Sequence, residues 1–554
     1  MALAQLPIVQ SGLPLGRPRD TSRPVMLIGF QQEANLGIGY LASTLRSAGY
    51  RVEIFDFQIE REEILEAARR LNPLLIGFSL IFQYFVDRFG SLARYLRENG
   101  AACHFTIGGH FPSLSHEHTL DLIPDLDSVV RFEGELALLE LCDVLSKGED
   151  WREIEGLAYR SNGEVLTTPM RHLIHDLDDL PYPDRSYRDT AILGRKITPL
   201  LASRGCARTC SFCSIHMFYR IAPGKVVRTR NPAKVVEEMK RLHEERGTRI
   251  YLFQDDDFPL FGPAWRRWTR EFIEELHGSG LVGKTIWKIN CRADVVEPEL
   301  FSEMRDAGLY LVYMGLESGS DEGLDTLHKE ITVEQNIEAT KILREVGLMF
   351  EFGFMMFDPS SSFDSVRANV SFLRRITADG RVAAVFCRML PYDGTPIKDE
   401  LQRQGRLRGD VCNPDYDFLD PRLSDFYYDL KRILDLTGWI HGYKSLSPQL
   451  NHAWHEVAIL EHLFPRLAGL PEYATRLAGI TNRSNDLLFR IVEDLADTHE
   501  RGVPHRWDAE ALRQQAEEFL AELIAERTAF IGENQGTLLQ ALDQELTRPE
   551  FAPA

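Results

Sequence analysis

The stretch Ile197-Thr-Pro-Leu-Leu-Ala-Ser203 runs into Arg204-Gly-Cys206-Ala-Arg-Thr-Cys210-Ser-Phe-Cys213, and its reading decides the fold. The first seven residues form a short apolar run of strand length. Behind it, three cysteines spaced four and three residues apart crowd one loop, a set of soft ligands for a metal. A 4Fe-4S cluster takes four ligands, so three cysteines would leave one iron open for a substrate or cofactor. A zinc ion would need a distant fourth ligand such as His216. Eight cysteines among 554 residues are too few for a disulfide scaffold, and their crowding fits metal binding or catalysis in a reducing compartment.

The same rhythm continues outward from this strand. Apolar runs at 250–254, 285–291, 309–316, 348–357 and 382–390 alternate with helical spacing after Pro232 and at 265–277, 297–307, 333–346 and 363–376. An eight-unit barrel needs roughly 250 residues, so this pattern predicts a (β/α)6 partial TIM barrel over 196–397. The cysteine loop then lies at the C-terminal end of a barrel strand, where active sites form. Beyond it, 398–554 reads as a mainly helical domain. Upstream, runs at 25–30, 52–57, 74–79, 104–109 and 128–132 alternate with helices and predict an α/β domain with a doubly wound parallel sheet over 25–170. Asn162-Gly163 marks a hairpin within it. The Asp- and Pro-rich stretch 171–195 reads as a linker, and 1–24 as a flexible leader.

Composition narrows the function. Lys and Arg total 63 against 83 Asp and Glu, a net charge of −20, which disfavours a nucleic-acid partner. No apolar run of about 20 residues is present, so no membrane span is expected. The first residues lack the basic start of a secretory signal. A cytoplasmic protein is expected.

The CxxxCxxC loop, with Phe212 before its last cysteine, resembles that of the radical S-adenosylmethionine (radical SAM) superfamily. Phe253-Gln254-Asp255-Asp256-Asp257-Phe258 is similar to the FxDDxF segment of that family. Asn290 and Arg292 stand at the third strand end. Gly315-Leu316-Glu317-Ser318-Gly319-Ser320 resembles the GxESGS segment, followed by Lys329–Thr332. Pro391-Tyr392-Asp393-Gly394-Thr395-Pro396 resembles the PxPGTP stretch, with Asp393 where Pro is usual. The resemblance implies a 4Fe-4S cluster on Cys206, Cys210 and Cys213. It implies S-adenosylmethionine contacts from Phe212, Gln254, Asp255, Asp256, Asn290, Arg292, Glu317 and Ser318. Aromatic stacking suits the adenine face and a carboxylate suits ribose hydroxyls. Asp255 and Asp256 could equally belong to a solvated strand end, and Arg292 to a structural ion pair.

In the first domain, Gly37-Ile-Gly39-Tyr-Leu-Ala42 matches a dinucleotide fingerprint, with Asp56 closing the second strand 19 residues after Gly37. That fingerprint needs its first glycine in the tight turn after strand one, yet residues 31–36 intervene. The longer loop leaves room for a larger ligand. The segment instead resembles the cobalamin-binding domain that precedes many radical SAM barrels. Gly108-Gly109-His110-Phe111-Pro112 is similar to its GGxxP loop, and Phe132-Glu133-Gly134-Glu135 to its GEGE loop. The implied cobalamin contacts are Leu36, Gly37, Tyr40, Ser79, Leu80, Gln83, Gly108, Gly109, His110, Glu133, Gly134 and Glu135. The Asp-x-His-x-x-Gly signature of a lower cobalt ligand is replaced by Phe30-Gln-Gln-Glu-Ala-Asn-Leu-Gly37. A base-off cobalamin with no histidine lower ligand from this loop is therefore expected. A domain that keeps the fold without the cofactor is the alternative.

Together the resemblances imply a cobalamin-dependent radical SAM methyltransferase of the class B type. Such an enzyme methylates an unactivated carbon of a small-molecule substrate through a 5′-deoxyadenosyl radical and methylcobalamin. It would take electrons from an external donor such as flavodoxin or ferredoxin. A radical cyclase or rearrangement and oxidation enzyme has the same layout. A non-catalytic cobalamin- or redox-responsive binding protein is the alternative of another class. His452-Ala-Trp-His455-Glu456 matches no zinc protease motif and reads as a solvated helix. Cys103, Cys142, Cys291 and Cys387 read as core, and Cys412 as exposed. The aromatic and acidic run 415–435 reads as an amphipathic core stripe rather than a cover for the open side of the barrel.

Overall fold

The computed structural model describes residues 19–31, 35–187, 189–505 and 507–546. The expected leader falls outside these residues up to position 18, as do three residues of the loop after the first strand. The first sheet comprises β1 (Val25–Gly29), β2 (Val52–Asp56), β3 (Leu75–Ser79), β4 (His104–Gly108), β5 (Ser128–Val130), β6 (Leu157–Ser161) and β7 (Glu164–Thr167). Its order is β2-β1-β3-β4-β5-β6-β7, with β1 to β5 parallel and β6 and β7 antiparallel additions. Strand order reverses between β1 and β3, and open sheets bind ligands in the crevice that such a reversal leaves at their carboxyl ends. Apolar layers cover both faces: Ile76, Phe78, Phe89 and Phe105 on one, Leu27, Leu45, Leu75 and Leu141 on the other. The β6–β7 turn holds Asn162 at φ +51 and Gly163 at φ +87, both left-handed as a two-residue hairpin demands.

The stretch read as a linker is packed along its length. Ile174, Leu177 and Leu180 join Leu36 and Tyr40 in one apolar cluster. Arg185 is buried against Glu238 at 2.6 Å. The stretch ends in β8 (Thr190–Ile192), antiparallel to β9 (Arg195–Leu200).

A short antiparallel pair, β10 (Ser203–Arg204) and β11 (Arg228–Thr229), frames the cysteine loop. The barrel continues through β12 (Thr248–Phe253), β13 (Ile286–Cys291), β14 (Leu309–Glu317), β15 (Met349–Phe357) and β16 (Cys387–Arg388). Six parallel strands result, in the order β16-β15-β14-β13-β12-β9, with β8 at the edge. The sixth strand is far shorter than the apolar run 382–390 suggests. Side-chain amides take over its ladder: Asn451 accepts from Ala383 N at 2.8 Å, and Asn485 accepts from Ala384 N at 2.9 Å.

Those asparagines come from the C-terminal helices Pro421–Thr437, Leu446–Leu463, Leu470–Arg501 and Ala509–Leu546. At the opposite barrel edge the Arg195 guanidinium donates to Leu538 O at 3.4 Å and lies 4.6 Å from the Phe464 ring. The helical region thus spans both edges and closes the open side of the half barrel. Its first helix buries Leu423, Phe426, Leu430, Ile433 and Leu434 as the expected stripe. The helix carrying His452 and His455 is packed rather than solvated. His455 sits 2.5 Å from the Tyr310 hydroxyl, and Glu456 is buried against Arg527 at 2.5 Å. Neighbouring helices supply partners there that period and spacing do not reveal. Among the described residues, no helix is long and apolar enough to cross a membrane.

Candidate active site between the two sheets

The cysteine loop leaves β10 and is pinned at several points. Ser211 donates its backbone N–H to Leu327 O at 3.0 Å and its hydroxyl to Thr326 O at 2.8 Å. Cys210 is buried, Cys206 and Cys213 are half-buried, and Phe212 packs against the barrel core. Arg292 extends to within 3.8 Å of Cys210 Sγ and donates to Lys329 O at 2.5 Å. Cys206 Sγ lies 3.9 Å from an Asp257 carboxylate oxygen. Burial pushes the Cys206 and Cys213 thiols up to about 12 and about 11. Three thiolates are tenable in such a loop only with a cationic partner, which is the chemistry of a thiolate-bound cluster. Among the described residues, no three His, Cys, Asp or Glu side chains converge as ligands of one metal ion must.

The acid run divides its labour. Asp255 is 1% exposed and accepts from Ala202 N at 3.1 Å and Ser203 Oγ at 2.5 Å, so it fixes the approach to the cysteine loop. Asp256 accepts from Gly205 N at 3.0 Å, yet its side chain still lines the cavity described below, as does Gln254. Burial raises Asp255 to about 7, and Asp256 and Asp257 each to about 6. Asn290 supports the run from below, donating to Asp255 O at 3.3 Å. Glu317 closes β14 with its backbone at φ +65, a left-handed position that a glutamate holds only when its surroundings impose it. Its carboxylate accepts from Lys329 Nζ at 3.1 Å. Ser318 is fully buried and bonded to Asn369 at 3.2 Å, which fixes the turn after β14.

Facing this edge, the strand ends of the first sheet border a cavity of about 630 Å³. Leu36, Gly37, Tyr40, Ser79, Gly108, Gly109, His110, Glu133, Gly134 and Glu135 line it. Leu80 and Gln83 do not. Leu80 is core, and Gln83 is held by Val411 O at 2.6 Å and Asp393 N at 2.8 Å. The aromatic side chains of Phe82 and Tyr84 line the cavity from the same loop, their rings stacked at 5.4 Å. Gly109 sits at φ +116, where a Cβ would lie 2.2 Å from Leu80 O. Only glycine allows that close backbone crossing. His110 rests 4.6 Å from the Phe218 ring, and burial lowers its imidazole to about 4.

An ion network invisible to motif reading ties the two sheets. Arg204, two residues before Cys206, donates to Glu133 at 3.0 Å and Glu135 at 2.6 Å while lying 4.8 Å from the Tyr40 ring. Arg228 donates to Glu133 at 2.8 Å. Burial opposes ionisation of Glu133, but Arg204 and Arg228 hold it below the usual carboxylate range. The GEGE-like acids are thus clamped by the barrel, and they border the cavity as neutralised groups. A second tie joins Ser115 and His118 to Asp393 at 2.8 and 3.0 Å. Asp393, the departure from the usual Pro, therefore has a structural partner in the other domain. Cys387, read as core, has an open side chain on the barrel's inner side, where burial and then Glu317 raise it to about 12. Cys142 and Cys291 are buried as read, and Cys412 is half-buried.

Three thiols at one barrel strand end, next in sequence to Ser203 and Arg204 that line a glycine-floored trough at the ends of a second parallel sheet, define a two-cofactor enzyme architecture. The trough fits a wide, flat ligand: its floor is backbone at Gly108 and Gly109, and its open walls are largely apolar. Comparison with known proteins agrees. Residues 30–142 match the B12 binding domain and residues 200–372 the Radical SAM superfamily. An uncharacterized methyltransferase of Pyrococcus horikoshii is 30% identical over 374 residues, covering 65% of this chain and 77% of that protein. The anaerobic magnesium-protoporphyrin IX monomethyl ester cyclase of Cereibacter sphaeroides is also 30% identical, covering 58% of this chain and 53% of the cyclase. The cobalamin-dependent S-adenosylmethionine radical enzyme OxsB, solved with aqua-cobalamin bound, superposes with a TM-score of 0.65 at 19% identity, over 96% of this chain and 82% of that one. The chain belongs to the radical SAM enzymes that carry a B12-binding domain.

Proposed function

We propose that the protein is a cobalamin-dependent radical SAM methyltransferase acting on an unactivated carbon of a small molecule. The observation that carries this reading is the shared cavity: Gly108, Gly109 and Tyr40 border it from the first sheet, and Ser203, Gln254 and Asp256 from the barrel. When bound, S-adenosylmethionine at a 4Fe-4S cluster supplies hydrogen-atom abstraction and cobalamin supplies the methyl group. Cys206, Cys210 and Cys213 would hold the cluster. Phe212, Gln254, Asp256, Arg292 and Glu317 would bind and orient S-adenosylmethionine, with Asp255, Asn290 and Ser318 positioning them. The cobalamin trough would be formed by Leu36, Gly37, Tyr40, Ser79, Gly108, Gly109 and His110, with the Arg204 clamp keeping the walls together and water out. No histidine stands in the loop after β1, and His110 packs against the Phe218 ring, so neither would offer bound cobalamin an imidazole. Paramagnetic resonance of the reduced cobalt then shows no splitting from an axial nitrogen. Electrons would come from flavodoxin or ferredoxin in the cytoplasm.

The cyclase relative supports a second reading, radical cyclisation with the same cofactors. Anaerobic reconstitution with a strong reductant separates the two. Methyl transfer yields S-adenosylhomocysteine together with 5′-deoxyadenosine, and a product heavier by one methylene. Formation of 5′-deoxyadenosine alone, with a product lighter by hydrogen, overturns the methyltransferase in favour of the cyclase.

A further inference from the structure

The inner face of the half barrel carries polar groups that the site above does not use. Along β13, β14 and β15, Lys288, Tyr313, Glu351 and Gly353 keep open surface, while the residues flanking each of them are buried. Period two sorts these positions onto one face of the sheet. Register sets Tyr313 beside Asn290 on one side and Glu351 on the other, with Gly315 beside Gly353 one step above. The two glycines leave room over the sheet for the Tyr313 hydroxyl, the Glu317 carboxylate and the Lys329 ammonium, which a Cβ on either would crowd. A Cβ on Gly353 would stand 2.8 Å from the Tyr313 hydroxyl. Leu309, Leu311 and Met349 are buried at the strand starts, below these polar groups.

Lys288 and Glu351 are opposite charges within this enclosure. Lys288 Nζ lies 5.2 Å from the Tyr313 ring centroid. Among the described residues, neither Lys288 nor Glu351 has a hydrogen bond or an ion pair within 4.0 Å. Burial pushes the Glu351 carboxyl up, and the Lys288 charge opposes that shift. The two charges act on each other through space without a direct contact, and half-buried opposite charges held apart in this way suit a ligand that bridges them.

We propose that the barrel lumen binds a small zwitterion of the amino-acid type, its carboxylate on Lys288 and its ammonium on Glu351, with the rest of the molecule rising toward Glu317 and the cysteine loop. This names a substrate class for the enzyme proposed above and rests on that reading. The test is equilibrium dialysis of the holoenzyme, loaded with cluster, cobalamin and S-adenosylmethionine, against pools of the twenty protein L-amino acids. The best binder's decarboxylated amine and deaminated acid follow. One amino acid should bind, and loss of either charged group should weaken it about tenfold or more. Lys288→Met should abolish discrimination against the amine, Glu351→Gln discrimination against the acid, and Lys288→Arg should retain binding. Affinity for S-adenosylmethionine should be the same in all. Failure of every amino acid to bind the wild-type holoenzyme overturns the proposal, as do equal affinities for the amine and acid analogues. A parallel fall in S-adenosylmethionine affinity also overturns it, because the pair would then serve the cofactor. The wild-type analogue series stands even if a variant misfolds. Failure of the wild type to cleave S-adenosylmethionine would count against the enzyme reading instead.

Discussion

The two sheets present their strand ends to one another and treat acidic residues there in opposite ways. At the end of the first sheet, Glu133 and Glu135 are clamped by Arg204 and Arg228 from across the interface. At the barrel end, Asp255 and Asp256 accept from hydroxyl and backbone donors and Asp257 faces the Cys206 thiol, and burial pushes all three up to about 6 or 7. Each edge holds a strained non-glycine residue, Phe132 and Glu317, both at φ +65. A carboxylate at a strand end therefore has no fixed role. The cations that reach it decide whether it is a fastener or a group open to a ligand.

The largest effect should come from the cysteine loop. Replacing Cys206, Cys210 and Cys213 together by Ala should remove all cluster iron and the broad absorption near roughly 400 nm, and with them cleavage of S-adenosylmethionine. Iron retained at about four per chain would break the assignment of that edge. Next is the clamp. Arg204→Met leaves Glu135 buried without its cation, and should destabilise the chain by about 3–5 kcal/mol in urea unfolding. Adding Glu135→Gln should recover part of that loss; if Arg204→Met leaves the unfolding midpoint unmoved, the two edges are not fastened as described.

His110 sharpens the contrast through pH. Its folded imidazole titrates near 4, below the ordinary value of about 6.5, because it is buried. The unfolded chain binds the proton first, so this contribution is intact above about 6.5 and is lost as pH falls toward 4, by about 3 kcal/mol at most. His110→Phe should flatten that slope, as followed by urea unfolding across the same range. The smallest effect is expected at Glu317. Glu317→Gln removes a charged acceptor and should weaken S-adenosylmethionine binding by about 1–2 kcal/mol, or about five- to thirty-fold in Kd. An unchanged Kd would make Glu317 a partner of Lys329 alone and erase the difference between the edges.

The sequence by itself determined the two alternating strand–helix regions, the cysteine loop at a barrel strand end, the hairpin at Asn162-Gly163 and the glycines of the cobalamin-like loop. These follow from local rules, because periodicity and turn chemistry act over a few residues, and a three-cysteine loop is complete within eight. Tertiary structure alone decided which motif residues face the cavity. Asp255 and Asp256 are neighbours in sequence and both accept from backbone N–H groups around β10, yet only Asp256 lines the cavity. Gln83 is taken by Val411 and Asp393 from far along the chain. Arg204 and Arg228 carry no motif, and their partners lie 69 to 95 residues away. The last barrel strand shortens because Asn451 and Asn485 satisfy its backbone from the helical region. Burial and pairing are properties of elements brought together from distant parts of the chain, and no local pattern encodes which partner arrives.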